Sequence, residues 1–418
     1  MSELPPQGLR VELGPDSHVF VAFSGGLDTS FCVLYLRREF GCRVTTVTVD
    51  SGGFDAAELN AIAARSDELG ADAHVLIDGR RAIYDEHIAY LIKGNVLRGG
   101  VYPLCVGAER VVQAREVGAV AAAGDGALIV HGSTGAGNDQ VRFEVAIAAT
   151  YPEIPTWAPI RDMQLTRHVS ADYLGAAGFP VDAATKDYSI NAGLWGVTIG
   201  GKETHDPWAY PPEAAWTTTV DPGAAPGEGG ELTLSFEAGL PVALNGTAME
   251  PLALLEAVRA FASEHGVGRG IHLGDTILGI KGRIAFEAGA AAVILPAHRE
   301  LEKLVLSRSQ AFHKDHLGGL YGMMLHEAQH MDPVMRDIEA FIDSSQARVT
   351  GDVRVHLRQG AVVVRGVRST YSMMAPELAK YGEENALWDG RDAEGFSRIY
   401  GTQQLLSGLA ARRSGSDA

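Results

Sequence analysis

Three cysteines in 418 residues, Cys32, Cys42 and Cys105, are too few and too irregularly spaced for a disulfide framework or a zinc ribbon. They fit a reducing compartment. No run of lysines or arginines occurs, and 52 acidic against 35 basic side chains leave a formal charge of −17. That balance speaks against a nucleic-acid partner and for a small-molecule ligand. No uninterrupted apolar run is long enough to span a bilayer, and the opening stretch MSELPPQGLRVELGPDSH lacks the apolar centre of a signal peptide. A soluble cytoplasmic protein with no membrane partner is expected. Also missing are G-x-x-x-x-G-K-[ST], whose lysine serves γ-phosphoryl transfer, and the G-x-G-x-x-G of dinucleotide folds.

What is present is an α/β pattern. Up to about residue 180, short apolar runs (His18 to Phe23, Arg43 to Val49, His74 to Ile77, Ala127 to Val130) alternate with helical stretches (Phe31 to Phe40, Asp55 to Leu69), which implies a parallel sheet built by right-handed crossovers. The Pro-, Gly- and Ala-rich segment 207–230 reads as a loop. After it, ELTLSFEAGLPVALNG and DVRVHLRQGAVVVRG each read as two strands about a glycine turn, with helical stretches from Pro251 to His265 and from Glu300 towards His326 between them. The expected organisation is a nucleotide-binding domain over 1–180, an α+β domain over 181–389 and a helical arm with a frayed tail over 390–418.

Two glycine-bearing loops follow strands, where open α/β sheets bind ligands. The first is Ser24-Gly25-Gly26-Leu27-Asp28-Thr29-Ser30. A strand running through glycines into a helix N-terminus offers backbone N–H groups and the positive end of a dipole to a phosphate. The hydroxyls of Ser24, Thr29 and Ser30 suit phosphate oxygens. Asp28 beside a phosphate is repulsive unless a cation lies between, which points to Mg²⁺. The plainer use of Asp28 and Thr29 is to cap a helix.

AFSGGLDTS, residues 22 to 30, resembles the PP-loop of the N-type ATP pyrophosphatases, and HGSTGAGNDQVRFE, residues 131 to 144, resembles the second signature of the argininosuccinate synthase family. YSINAGLWG, EAGLPVALNG, HGVGRG, LGIKGR and EGFSRIYG follow in family order, so the resemblance covers nearly the whole chain. It implies a PP-loop fold of adenine-nucleotide α-hydrolase type with a synthetase domain and a C-terminal arm, a homotetramer, and an AMP-forming ligase that adenylates a carbonyl oxygen and then admits the amino group of L-aspartate. ATP and Mg²⁺ are the implied cofactors. By the same resemblance Ala22, Phe23, Ser24, Gly25, Gly26, Leu27, Asp28, Thr29 and Ser30 form the ATP loop, and Val49 meets adenine through its backbone. Gly132, Thr134, Gly135 and Gly137 form the second ATP-contacting turn. Thr134, Asn138 and Asp139 bind aspartate, and Asp28, Asn138 and Asp139 are the catalytic candidates.

On the acceptor side Tyr102, Asn138, Arg142 and Ser189 match citrulline-binding positions, and Thr198 stands where a serine is usual. Gly107 replaces a serine, Gly274 a glutamate and Phe286 a tyrosine, while AERV from Ala108 replaces an A-R-P stretch. One lost hydroxyl costs roughly 1–3 kcal/mol when its partner stays buried. A lost carboxylate opposite a desolvated ammonium costs about 3–5 kcal/mol. Asp275 restores an acid only through a one-residue slip, which in a strand turns the side chain to the other face. His272 nearby could take a polar role. The expectation is a divergent member whose acceptor is a ureido, amide or carboxylate compound other than citrulline, with a fumarate-releasing lyase acting next. The alternatives are argininosuccinate synthase activity itself, a tRNA-modifying PP-loop enzyme, which the acidic charge and missing cysteine pair oppose, and a non-catalytic ATP- or aspartate-binding protein.

HEAQH, His326 to His330, fits the H-E-x-x-H zinc pattern. With no further ligand motif downstream, these are expected to be surface or interface histidines on a helix of the second domain, away from the nucleotide loops. Met323 and Met324 read as core or interface fillers. Lys281 and Arg283 read equally as contacts to phosphate or acceptor and as a solvated turn.

Overall fold

Val19, Phe20 and Val21 are at most 2% exposed, because the strand they form is covered on both faces. This strand, β1 (His18–Ala22), is the centre of a five-stranded parallel sheet with β2 (Arg43–Asp50), β3 (Ala73–Asp78), β4 (Leu128–His131) and β5 (Thr156–Trp157), in the order β3-β2-β1-β4-β5. The chain builds outward from β1 to β3 and then crosses to β4 on the other side. The C-terminal ends of β1 and β4 therefore flank the switch point, where a crevice opens in such sheets. Phe31, Tyr35, Trp157 and Tyr173 pack one side of it as an aromatic cluster.

Downstream come β6 (Ser189–Gly193), β7 (Gly196–Gly200), β8 (Gly230–Glu237), β9 (Leu240–Leu244), β10 (Thr247–Ala248), β11 (Arg269–Asp275), β12 (Lys281–Glu287), β13 (Gly351–Arg358) and β14 (Ala361–Arg368). They form two antiparallel sheets, β11-β12-β7-β6 and β10-β9-β8-β13-β14. The two hairpins expected from sequence are β8–β9 and β13–β14. Their turns, Ala238-Gly239 and Gln359-Gly360, all have positive φ, the two-residue geometry that matches strand twist. Helix Gly289–Val305 covers the second sheet with Ile294, Leu295 and Leu301 against Val353, Val355 and Leu357.

The structure, a computed structural model, describes residues 6–179, 188–382 and 385–413. The expected boundary at 180/181 and the end of the expected frayed tail lie outside them. The chain divides into two units, residues 1–371, which hold all three sheets, and residues 372–418. In the second unit the helices Gly390–Tyr400 and Thr402–Arg413 bury no residue, and Asp389 caps the first by accepting from the amides of Arg391 and Asp392.

Several elements differ from expectation for local reasons. The stretch from Glu300 towards His326 is two helices, because Ser307 and Gln310 form a reciprocal capping box that starts Arg308–His326 afresh. The strands β5, β6, β7, β11 and β12 were not anticipated. They are short or glycine-rich and so lack an alternating apolar signal. Among the described residues no helix is long and apolar enough to cross a membrane.

Candidate functional site

The first loop leaves β1 at Ala22 and enters helix Leu27–Tyr35 through Phe23-Ser24-Gly25-Gly26. Gly25 takes φ +71°, a left-handed conformation that a glycine adopts without steric cost, and a Cβ there would press Ile62 Cγ1 at 3.1 Å. Phe23 is tied down from both sides: its N–H donates to Val47 O at 2.9 Å and its carbonyl accepts from Thr48 Oγ1 at 2.7 Å. Gly26 caps the helix without a side-chain hydrogen bond, so no side chain competes for the first-turn amides. Ser24 Oγ lies 3.3 Å from Thr29 Oγ1, and Ser30 Oγ reaches the carbonyl of Gly25 at 3.5 Å. Asp28 stands half-buried in that first turn; burial raises its carboxyl, against the opposing pull of Arg167. Val49 buries its side chain in the core and leaves only its backbone for a ligand.

The second loop lies directly on the first. A Cβ on Gly132 would sit 3.0 Å from Thr29 Cγ2, 3.1 Å from Thr29 N and 3.2 Å from Asp28 C, so the approach of β4's loop to the helix N-terminus needs a glycine. Thr134 and Gly135 are exposed. Gln140, which sequence reasoning missed, shapes the turn: its Nε2 donates to the carbonyls of Gly135 at 2.6 Å and Gly137 at 3.2 Å. Asn138 precedes helix Asp139–Thr150, and its Oδ1 accepts from the amide of Ile277 at 2.9 Å, tying this loop to the β11–β12 turn.

Asp139 is held by two arginines, with Arg110 Nε 3.0 Å from Oδ2 and Arg142 Nη1 2.9 Å from Oδ1. Burial works to raise its carboxyl, and the two guanidiniums overcome that and hold it below the usual carboxylate range. Arg110 also donates to Glu109 Oε1 at 2.7 Å. Glu109 is 3% exposed, and burial, against the pull of Arg110, pushes its carboxyl up to about 8. Arg142 is buried, with Nη2 3.1 Å from His326 Nδ1 and Nε donating to His326 O at 3.2 Å.

The four-stranded sheet gathers the acceptor-side residues. Register places Ser189, Asn191 and Gly193 of β6 opposite Gly200, Thr198 and Gly196 of β7, Thr198 opposite Phe286, and Phe286, Ile284 and Gly282 of β12 opposite Gly270, His272 and Gly274 of β11. All of these share one face. The other face, with Val197, Ile199, Ala285 and Ile271, packs on Trp216. The loop before helix Glu109–Ala123 covers the first face. Tyr102 packs on Phe286 with ring centroids 5.3 Å apart and stacks on His272 at 5.5 Å and 15°. Three glycines on this face are filled by neighbouring side chains, Cys105 over Gly196, Glu109 over Gly193, and His272 over Gly274, where a Cβ would lie 2.5 Å from Nε2, while Gly200 is open. Burial, aided by Arg98, lowers His272 and keeps its imidazole neutral. Gly107 abuts Arg142, whose Nη2 would be 3.3 Å from a Cβ there.

Asp275 is not brought to this face. It alternates to the other side and pairs with Lys281 at 2.6 Å, so the acid is not restored there. Arg283 donates to the carbonyls of Glu203 and Asp206, a turn contact. The HEAQH segment is not one helix: Arg308–His326 ends at His326 and Ala328 turns left-handed at φ +64°. His326 lies on Arg142, while His330 meets Arg336 at 2.7 Å and Glu339 at 3.7 Å. Both are buried, not on the surface, and His326 reaches the helix that follows the second loop. Among the described residues no three His, Cys, Asp or Glu side chains are grouped to hold a metal. Met324 is buried and Met323 is exposed. Glu109, Arg110, Asn191 and His326 were missed as candidates because each reaches these loops through tertiary contacts, whereas Gln140 lies inside the second motif and shapes its turn locally.

Two family models match: Arginosuccinate synthase N-terminal HUP domain over residues 18–180 and Arginosuccinate synthase C-terminal domain over 188–406. Relatives named argininosuccinate synthase include one from Methanocaldococcus jannaschii, 36% identical over 94% of this chain and 98% of its own length. Another, from Xanthomonas campestris pv. campestris, is 39% identical over 93% and 97%. A third, from Dehalococcoides mccartyi, is 37% identical over 93% and 95%. With both halves matched in order, with PP-loop and second loop in contact at the switch point, the chain belongs to the argininosuccinate synthase family.

Proposed function

We propose that this AMP-forming C–N ligase acts on citrulline and L-aspartate, forming argininosuccinate, AMP and pyrophosphate. The observation that supports the reading is the contact of Gly132 with the N-terminus of helix Leu27–Tyr35, which brings the loop bearing Thr134, Asn138 and Asp139 against the loop proposed here to cradle phosphate. Relatives of that name match over nearly the whole chain, and they favour citrulline over the different acceptor that sequence reasoning put first.

In this reading the first-turn amides and the hydroxyls of Ser24, Thr29 and Ser30 hold the β- and γ-phosphates. The citrulline ureido oxygen attacks the α-phosphorus, pyrophosphate leaves, and the amino group of aspartate displaces AMP from the activated carbon. Asp28 fits a Mg²⁺ that arrives with ATP, since Mg²⁺ binds through one or two carboxylates plus substrate phosphates, and the ion would neutralise phosphate charge. Arg142 would pair the acceptor carboxylate, and Asp139 the aspartate ammonium. A homotetramer, a cytoplasmic location and a downstream fumarate-releasing lyase belong to the same reading.

A second reading keeps the chemistry and changes the acceptor. It is favoured by the His272 imidazole lying over Gly274, the position at which the family resemblance leads one to expect a glutamate. The test is pyrophosphate release from ATP and Mg²⁺ with aspartate, comparing citrulline with des-amino, amide and carboxylate compounds. Release that needs both citrulline and aspartate supports the first reading. Release only with an acceptor lacking the α-amino group supports the second, and no release with any acceptor refutes both.

A further inference from the structure

We propose that Glu109 is a positioning residue of the aspartate subsite, which by drawing Arg110 towards itself keeps the Asp139 carboxylate available to the substrate ammonium. The inference rests on the reading that aspartate binds at Thr134, Asn138 and Asp139.

Each oxygen of Asp139 already accepts from one guanidinium, Oδ2 from Arg110 and Oδ1 from Arg142, so the more tightly Arg110 holds it, the less of its charge is left for a substrate ammonium. Arg110 is shared. Its Nε goes to Asp139 at 3.0 Å, while its Nη1 goes to Glu109 at 2.7 Å and to Gln113 at 2.9 Å. Its Nη2 reaches Asn191 Oδ1 on the acceptor-side sheet at 3.5 Å. The carboxylate of Glu109 is thus the one anion competing with Asp139 for this guanidinium among the described residues. The fold makes room for it: a Cβ on Gly193 would collide with Glu109 Oε2, and the hydroxyl of Ser51, just beyond β2, favours the charged form of the same carboxyl. A buried acid needs such partners to persist, and these join the nucleotide sheet to the acceptor-side sheet at the aspartate subsite.

The charge on Glu109 decides how strongly it competes. The groups facing it are Arg110 from its own helix, Asp139 and Arg142 from helix Asp139–Thr150, Tyr102 and Cys105 from the preceding loop, and Ser51 after β2. With its carboxyl pushed up to about 8, it is largely protonated below that pH, and Asp139 is then the one anion bonded to Arg110 among the described residues. As pH rises through about 8, Glu109 ionises, Arg110 is drawn back, and aspartate binding should strengthen.

The test is steady-state pyrophosphate release by the full chain, with aspartate, acceptor and ATP varied in turn across pH, for the wild type, Glu109→Gln and Ser51→Ala. Expected for Glu109→Gln above about pH 8, where the wild-type carboxyl is charged, is an aspartate KM raised about tenfold from the lost charge-assisted pairing, with the KM of acceptor and ATP within about twofold. The wild-type rise of kcat/KM for aspartate near pH 8 should flatten in that variant. Ser51→Ala, which removes a hydroxyl that favours the charged form, should move the rise to higher pH. A wild-type profile with no rise there, or equal effects on all three KM values, overturns the proposal. Absence of aspartate-dependent turnover in the wild type would instead remove the reading beneath it, and Glu109 with it.

Discussion

Gly132→Ala offers the sharpest examination of how the two loops cooperate. The added methyl would meet Thr29 Cγ2 at 3.0 Å, Thr29 N at 3.1 Å and Asp28 C at 3.2 Å, all inside ordinary van der Waals contact. Two of those atoms are backbone, so no rotamer change relieves them, and the second loop and helix Leu27–Tyr35 must move apart by a few tenths of an ångström. Overpacking of this kind costs about 1–3 kcal/mol. If half or more of that falls on the bound state, the ATP KM rises by about twofold to a hundredfold, since each 1.4 kcal/mol is a factor of ten. Gly137→Ala is the control in the same loop, because its nearest neighbour, Thr134 Oγ1, would lie 3.7 Å away and nothing must shift. Initial rates of pyrophosphate release against ATP concentration, with thermal denaturation of both variants, separate lost binding from lost folding. An ATP KM for Gly132→Ala within twofold of wild type, or matched by Gly137→Ala, refutes the reasoning.

Three further outcomes are expected. His326→Ala leaves Arg142 Nη2 without its side-chain acceptor and should raise the acceptor KM about tenfold while the ATP KM stays unchanged, measured in the same assay. Glu287→Ala should destabilise the fold by about 3–5 kcal/mol at neutral pH, because the buried carboxylate accepts from the amides of Thr217, Thr218 and Thr219 and from two threonine hydroxyls. Burial works to raise that carboxyl, and these bonds hold it below its ordinary value of 4.5. The stabilisation is therefore present above 4.5 and lost as pH falls through the lowered value, so urea unfolding should show the wild type converging on the variant in acid. Chelating Mg²⁺ should stop pyrophosphate release without changing the melting temperature, and metal analysis should find no stoichiometric zinc, since His326 and His330 serve different partners.

How much of this was legible in the sequence follows from how local each feature is. The parallel sheet and both hairpins were readable because buried strands and two-residue glycine turns write their signals within a few residues. The glycine-rich loop after β1 was readable for the same reason: its glycines, hydroxyls and Asp28 all lie within Ser24–Ser30, the segment proposed to hold phosphate. The acceptor side was not. β6, β7, β11 and β12 carry so many glycines that period-two alternation is lost, and without the strands the parity that sends His272 to one face and Asp275 to the other cannot be assigned. Arg110 and Glu109 sit on a helix start that gives no sign of Asp139, 29 residues on in the contact from Arg110. His326 lies 184 residues from Arg142, and the zinc-like spacing around it pointed to a different partner.

The bare glycines of the acceptor face have to be read with the side chains that fill them, and this changes what a substitution there should do. Gly274 has no side chain, yet its place is not empty, because His272 Nε2 stands 2.5 Å from where a Cβ would be. Gly274→Glu alone therefore does not restore a carboxylate to the acceptor face: it drives the imidazole off Tyr102, breaking the stack at 5.5 Å and disturbing the Tyr102–Phe286 contact behind it. That single change should lower turnover with every acceptor. Gly274→Glu with His272→Ala removes the obstruction and leaves a carboxylate on the same face as Thr198 and Phe286. The pair should improve kcat/KM for citrulline over its des-amino analogue by about tenfold or more relative to the wild type, the effect of one added charge-assisted hydrogen bond. If the single variant performs as well as the pair, His272 does not occupy that place in solution, and the acceptor face is more open than the packing of Tyr102, His272 and Phe286 requires.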